Sequence, residues 1–275
     1  MAAFARRQAI RGNESIVTTA PQPITSPVRL ARTAGLYYLI VGIFGGFAEV
    51  VRVNVYVPNH AAMTVRNIVD HAALVKFSVV ADLVQATFAL FLVLALFRLL
   101  AHVHQGLARA MVVFVVVQVA VTCLNLVHQW AALQVATDPA YRSGFGGRGS
   151  SSLVLLLMDM HHIGYVIAQI FFGLWLFPLG LLAYRSAMFP RPLGVILMVA
   201  TVAYLLDTVL QLTAPSVSDV VSPIAVVPLV TIAELWMVFY LLIKGVRTPG
   251  PTGSRPPDGG TSAPSEHAIG PVARP

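Results

Sequence analysis

Six apolar segments dominate this chain, at approximately 32–53, 72–99, 107–136, 153–184, 192–212 and 222–243. Each is long enough to cross a hydrocarbon core of about 30 Å, which takes about 20 residues of helix. Backbone groups in lipid must find partners within the chain, so segments of this kind span as α-helices. The predicted fold is therefore all-α, a six-helix transmembrane bundle occupying residues 30–245. Only 11% of the 275 residues are charged, against about 25% in a typical soluble domain. That scarcity excludes an ordinary soluble enzyme or a disordered protein.

The flanks differ in character. Residues 1–29 carry Arg6, Arg7, Arg11 and Arg29 and lack the apolar run a secretory signal needs. They are expected to form a disordered cytoplasmic arm. Residues 246–275 are expected to form a disordered cytoplasmic tail, since from 248 onward Pro and Gly dominate and no core can form. Inside the bundle, Pro178 is expected to kink the fourth segment. Gly42 and Gly46 form a G-x-x-x-G that would allow close helix packing. The loops near 54–71 and 137–152 are expected to be long, the second mobile because of Gly144, Gly146, Gly147 and Gly149. The loop near 213–221 is expected to be short.

The net charge of +7 arises from 18 Lys and Arg against 11 Asp and Glu. The basic residues lie between and beyond the spans, so the charge points to membrane orientation rather than to nucleic acid. Most of them fall on the side of the N-terminus. The expectation is a multi-pass protein of the cell membrane with both termini cytoplasmic and the bilayer as its partner. Cys123 is alone and cannot form an intrachain disulfide. Nothing in the sequence sets an oligomeric state.

Polar groups inside spans are costly, so each is a candidate for function. The candidates for a polar cavity are Glu49, Asp82, Gln85, Asn125, His128, Asp159, His162, Gln169, Asp207 and Glu234. At about 1.5 Å per residue, most of them fall near the outer ends of their helices, with Glu234 near mid-membrane. Asp159, His162, Gln169 and Gly173 share a helical face, as do Asn125, His128 and Gln129, and as do Tyr204, Asp207 and Gln211. If these stripes face inward, they line a polar cavity open to the outer side. Glu49 and Arg52, three residues apart, either pair or snorkel to the headgroups. Glu234 has no basic partner in sight and is expected as a neutral acid. Trp130, Trp175 and Trp236 read as packing or interface residues.

No motif calls for a cofactor. The one alternative is a divalent metal held by Asp159, His162 and His128, a set of N and O ligands. No G-x-S-x-G elbow, H-E-x-x-H or phosphate-binding glycine loop is present. Three functions follow from these residues. The first is binding or movement of a small solute through an outward-facing polar cavity. The second is a membrane-embedded, metal-dependent enzyme. The third is a non-catalytic sensor or partner protein.

Several strings carry a family resemblance. They are Ala31-Arg-Thr-Ala-Gly35-Leu-Tyr-Tyr-Leu39, Phe47-Ala-Glu49-Val-Val-Arg52 and Asp159-Met-His161-His162-Ile-Gly-Tyr165 leading to Gln169-Ile-Phe-Phe-Gly173. Pro190-Arg-Pro-Leu-Gly194, Tyr204-Leu-Leu-Asp207, Ala233-Glu234 and Leu241-Leu-Ile-Lys244-Gly245 continue the pattern. Together they resemble a family of bacterial membrane proteins catalogued as domain of unknown function 4386, over about residues 30–245. The resemblance implies an integral membrane protein and supplies no activity.

Overall fold

The computed structural model describes residues 26–247. They form α1 (Pro27–Val55), α2 (Ala61–Asp70), α3 (Ala72–Leu100), α4 (Gln105–Thr137), α5 (Pro139–Leu174), α6 (Leu176–Arg185), α7 (Arg191–Thr213), α8 (Pro215–Val221) and α9 (Val227–Phe239). Two π-helical turns, Ser222–Val226 and Tyr240–Lys244, flank α9. Among the described residues there is no strand. Six helical stretches are long and apolar enough to cross a membrane: α1, α3, α4, α5 with α6, α7, and α8 through the second π turn. Large apolar side chains such as Ile43, Phe77, Leu124, Val202 and Ile224 point outward from these stretches, which suits helices solvated by lipid. The end of the bundle holding Pro27, Leu100 and Lys244 is called the near end below, and the opposite end the far end.

Helix boundaries follow local chemistry. Ser26 caps α1 by accepting from the Arg29 N–H at 3.4 Å, and Pro27 occupies the first turn. The helix therefore starts at Pro27, and residues 27–29 of the expected arm belong to it. The rest of that arm, and residues 248–275 of the expected tail, lie outside the described residues. Pro178 has no N–H for the Leu174 carbonyl, and the fourth span breaks one turn earlier, at Trp175, into α5 and α6. The last span carries Pro223 and Pro228, and there the backbone widens into the π turn Ser222–Val226.

All three connections expected as loops contain helix. The 54–71 connection contains α2, an amphipathic helix that buries Thr64 and Ile68, four residues apart, against the bundle. Thr64 Oγ1 fixes its approach, accepting from the Val57 N–H and donating to the Val57 carbonyl at 3.1 Å each. The 137–152 connection is helical on both sides of Gly146, whose φ of 70° interrupts the helix. Asp138 caps its start by accepting from the Ala140 N–H at 2.8 Å. Between α7 and α8 only Ala214 remains outside a helix, because Pro215 opens the next helix at once.

Two apolar clusters anchor the bundle. One fills the near end with Leu96, Leu100, Met111, Leu179, Leu193 and Met237 among others. The other sits at the far end among α1 to α5, around Val55, Ile68, Val75, Leu133 and Val154. Close helix approach at the near end uses Gly180 and Gly194. A Cβ on either would stand 2.6–2.7 Å from the other's carbonyl oxygen, so α6 and α7 meet backbone to backbone. The polar residues of the spans lie mainly between the two clusters.

Candidate functional site: an interior polar cavity

A cavity of about 580 Å³ occupies the middle of the bundle. On α5 its wall runs from His162 to Trp175, about 20 Å of helix. α1 contributes Tyr38, Gly42, Gly45, Gly46 and Glu49, and α3 contributes Gln85. Gln118 comes from α4, and Tyr165, Gln169 and Phe172 from α5. Tyr204, Asp207 and Gln211 come from α7, and Thr231 and Glu234 from α9. Six of the sequence candidates thus line one space: Glu49, Gln85, His162, Gln169, Asp207 and Glu234.

Each carboxylate is held differently. Tyr38 donates to Glu234 Oε2 at 2.8 Å and Tyr204 donates to Oε1 at 3.1 Å. Glu234 has no basic partner, as expected from sequence, and its partners are two phenols that form a Tyr–Glu–Tyr clasp joining α1, α7 and α9. Asp207 is 2% exposed. Its Oδ2 accepts from Gln169 at 2.7 Å and from Gln211 at 2.6 Å, and its Oδ1 accepts from Ser218 at 3.3 Å. Phenols, amides and a hydroxyl supply all of these bonds, so neither Asp207 nor Glu234 has a cationic neighbour bonded to it. Buried charged groups ordinarily require one.

Glu49 closes the far side of the cavity. Arg52 donates to its Oε2 through Nε at 3.1 Å and Nη2 at 2.8 Å, and through Nη1 to Asp82 Oδ2 at 2.5 Å. The guanidinium also lies over the Tyr165 ring, 4.9 Å from its centre. Arg52 is 8% exposed and Asp82 is 2% exposed. The sequence alternatives for Arg52, pairing or snorkelling, are settled in favour of pairing, with Asp82 as a second partner 30 residues away. Asp82 sits behind the guanidinium and does not line the cavity.

Asn125, His128 and Asp159 lie elsewhere. They border a second hollow of about 350 Å³ between α4 and α5, with Met160, Ile163, Gly164 and Ile167. Three residues along a helix turn it by about 300°, which sets Asp159 some 60° around α5 from His162. That rotation divides the polar stripe of α5 between the two spaces. The Asn125 amide donates to the His161 carbonyl at 2.8 Å, and His128 Nδ1 lies 3.2 Å from both oxygens of Asn125. Tyr56 donates to Asp159 at 2.5 Å, and its ring stacks on His162 at 5.8 Å. Among the described residues no group of three or more His, Cys, Asp or Glu side chains stands where it could hold a metal ion.

Gly42 and Gly46 do not pack against a helix. A Cβ on either would meet nothing within 4 Å, because both face the cavity. The close approaches of α1 come from glycines outside that motif. Gly35 packs on Leu241 and Leu242, and Gly45 packs on the Gln85 amide. Sequence reasoning missed Tyr38 and Tyr165 as cavity residues, and Trp175 also lines the space, its ring tilted against Tyr38 with centres 5.6 Å apart. Tyr38 falls eleven residues before Glu49, three helical turns on the same face, and that spacing was the available signal.

No curated protein and no solved structure matches the chain. The family described as Domain of unknown function (DUF4386) matches residues 33–245. That match reaches from the second turn of α1 to the residue after the last span, and takes in every cavity-lining side chain named above. On this ground the six-helix, membrane-spanning chain belongs to the DUF4386 family.

Proposed function

We propose that the protein binds a small organic solute in the interior cavity. The observation that carries this reading is the convergence of polar side chains from six separate helices on one space of about 580 Å³. Ligand sites of small molecules commonly measure about 300–1,000 Å³ and place a few polar groups among apolar and aromatic ones. Polar groups inside a bundle cost stability unless something repays them, and a ligand does so here. Binding fits better than passage, because the near end is filled by the apolar cluster around Leu96, Leu100 and Leu179.

Gly46→Leu provides the test. A Cβ there meets nothing within 4 Å, so the leucine side chain is built into the cavity and takes up its space, and size exclusion checks that the variant folds. Thermal midpoints of wild type and Gly46→Leu are measured in detergent micelles against cationic, neutral and anionic solutes. A ligand at about 100 times its Kd stabilises the folded state by about 2.7 kcal/mol. The expected result is a raised midpoint with at least one class of solute, absent in Gly46→Leu. No response from any class, or an equal response from Gly46→Leu, overturns the reading.

A further inference from the structure

We infer that the solute of this cavity is an organic cation. The inference rests on the binding reading above and names its ligand class. Glu49, Asp207 and Glu234 face the cavity, and Asp82 stands directly behind it. Against these four carboxylates stands one guanidinium, Arg52, which does not line the space and is already shared between Glu49 and Asp82. Among the described residues His162 is the one basic group on the wall, and no Lys or Arg lines it. Asp207 and Glu234 receive hydrogen bonds from neutral donors alone. In a low-dielectric interior such carboxyl groups require protons or a positive charge beside them.

Two further observations point to an organic cation. Gln118 is 6% exposed and lines the cavity, yet its buried Oε1 has no donor. The wall therefore holds a spare acceptor dipole as well as spare negative charge, and a positive charge complements both. Aromatic rings also line the space, in the pairs Tyr38–Trp175 and Tyr165–Phe172 together with Tyr204. Aromatic faces attract cations within about 6 Å, and most strongly where water is excluded. Tyr165 already holds one such cation, Arg52. A bare metal ion would leave these rings unused. An amine or quaternary ammonium with an apolar body uses rings and carboxylates together.

Three probes sharing a benzyl group separate the possibilities: benzyltrimethylammonium, benzyl alcohol and phenylacetate. Their Kd values are measured by titration calorimetry on purified wild type, Gly46→Leu, Asp207→Asn, Glu234→Gln and Ile43→Ala. Size exclusion and the thermal midpoint check the fold of each variant. The expected result is that the cation binds at least about tenfold tighter than either other probe, a modest demand on one desolvated cation–π contact. Asp207→Asn and Glu234→Gln each weaken the cation about tenfold and leave benzyl alcohol unchanged. Ile43→Ala, on the outward face of α1 and away from the cavity wall, retains cation binding and serves as the folded control. Equal or tighter binding of the alcohol or the anion, lost in Gly46→Leu, overturns the cation inference while the binding reading stands. Binding by none of the probes overturns the cation inference. A silent response to the wider solute panel then removes the binding reading as well.

Discussion

Replacing Arg52 with Leu should cost more stability than any other single change in the polar layer. The guanidinium makes two bonds to Glu49 and one to Asp82, and rests on Tyr165. These contacts do not weigh equally. The Glu49 side chain is 46% exposed, and a pair so open to solvent is worth about 0–1 kcal/mol. Asp82 is 2% exposed and has no other hydrogen-bond donor among the described residues. Removing Arg52 leaves that carboxylate buried and alone, a loss of about 3–5 kcal/mol. A domain of this size is stable by only about 5–15 kcal/mol, so the effect is easily measured. Reversible unfolding in mixed micelles, followed by tryptophan fluorescence, gives the free energy. Glu49→Gln should cost under about 1 kcal/mol. The double variant Arg52→Leu/Asp82→Leu should recover to within about 1 kcal/mol of wild type, because no unpaired charge remains. If Arg52→Leu costs under about 1 kcal/mol, or if the double variant is no better than the single, the buried-pair argument fails.

Other consequences are open to direct measurement. Gly164→Ala should destabilise by about 1–3 kcal/mol, because its Cβ would overlap the Asn125 amide. Gly42→Ala, facing open space, should be neutral or stabilising by up to about 1 kcal/mol. Unfolding midpoints of the two variants should therefore move in opposite directions or differ clearly. Tyr38→Phe removes one of the two donors on Glu234 and should cost about 1–3 kcal/mol in the same assay. For orientation, single cysteines at His102 and Ser143 are placed in a Cys123→Ser background. An impermeant thiol reagent added to intact cells should label Ser143→Cys and spare His102→Cys, as the bias of basic residues implies. The reverse pattern would invert the topology.

The fold was open to reading because its cause is one-dimensional. Span length and apolarity fix six crossings whatever the packing, and Pro178 marks the break in the fourth by its missing N–H group, whereas the helix start at Pro27 fell inside the expected arm. The loops were harder. α2 is short, and only Thr64 and Ile68 reveal its buried side. The site was legible as a set of costly residues, which is why Glu49, Asp207 and Glu234 stand out from sequence. Partnership was not legible. That Arg52 meets Asp82, or that Tyr38 meets Glu234 across 196 residues, depends on helix rotation and order around the bundle. Neither is encoded in spacing along one helix. The same blindness let Asp159 share a stripe with His162, although a rotation of about 60° places them on different hollows.

The central claim is that the bundle encloses a solvent-reachable, negatively lined space, and thiol chemistry at Gly46 tests it most directly. Gly46→Cys in a Cys123→Ser background is treated with a cationic and an anionic methanethiosulfonate of similar size. Each rate is normalised to that of a free thiol in solution, and Ile43→Cys, on the lipid-facing side of α1, is the comparison. The account predicts that Gly46→Cys reacts readily, that Ile43→Cys does not, and that the cationic reagent is favoured by about tenfold or more through focusing of the acidic field. An unreactive Gly46→Cys, or an anionic reagent as fast as the cationic one, would contradict it.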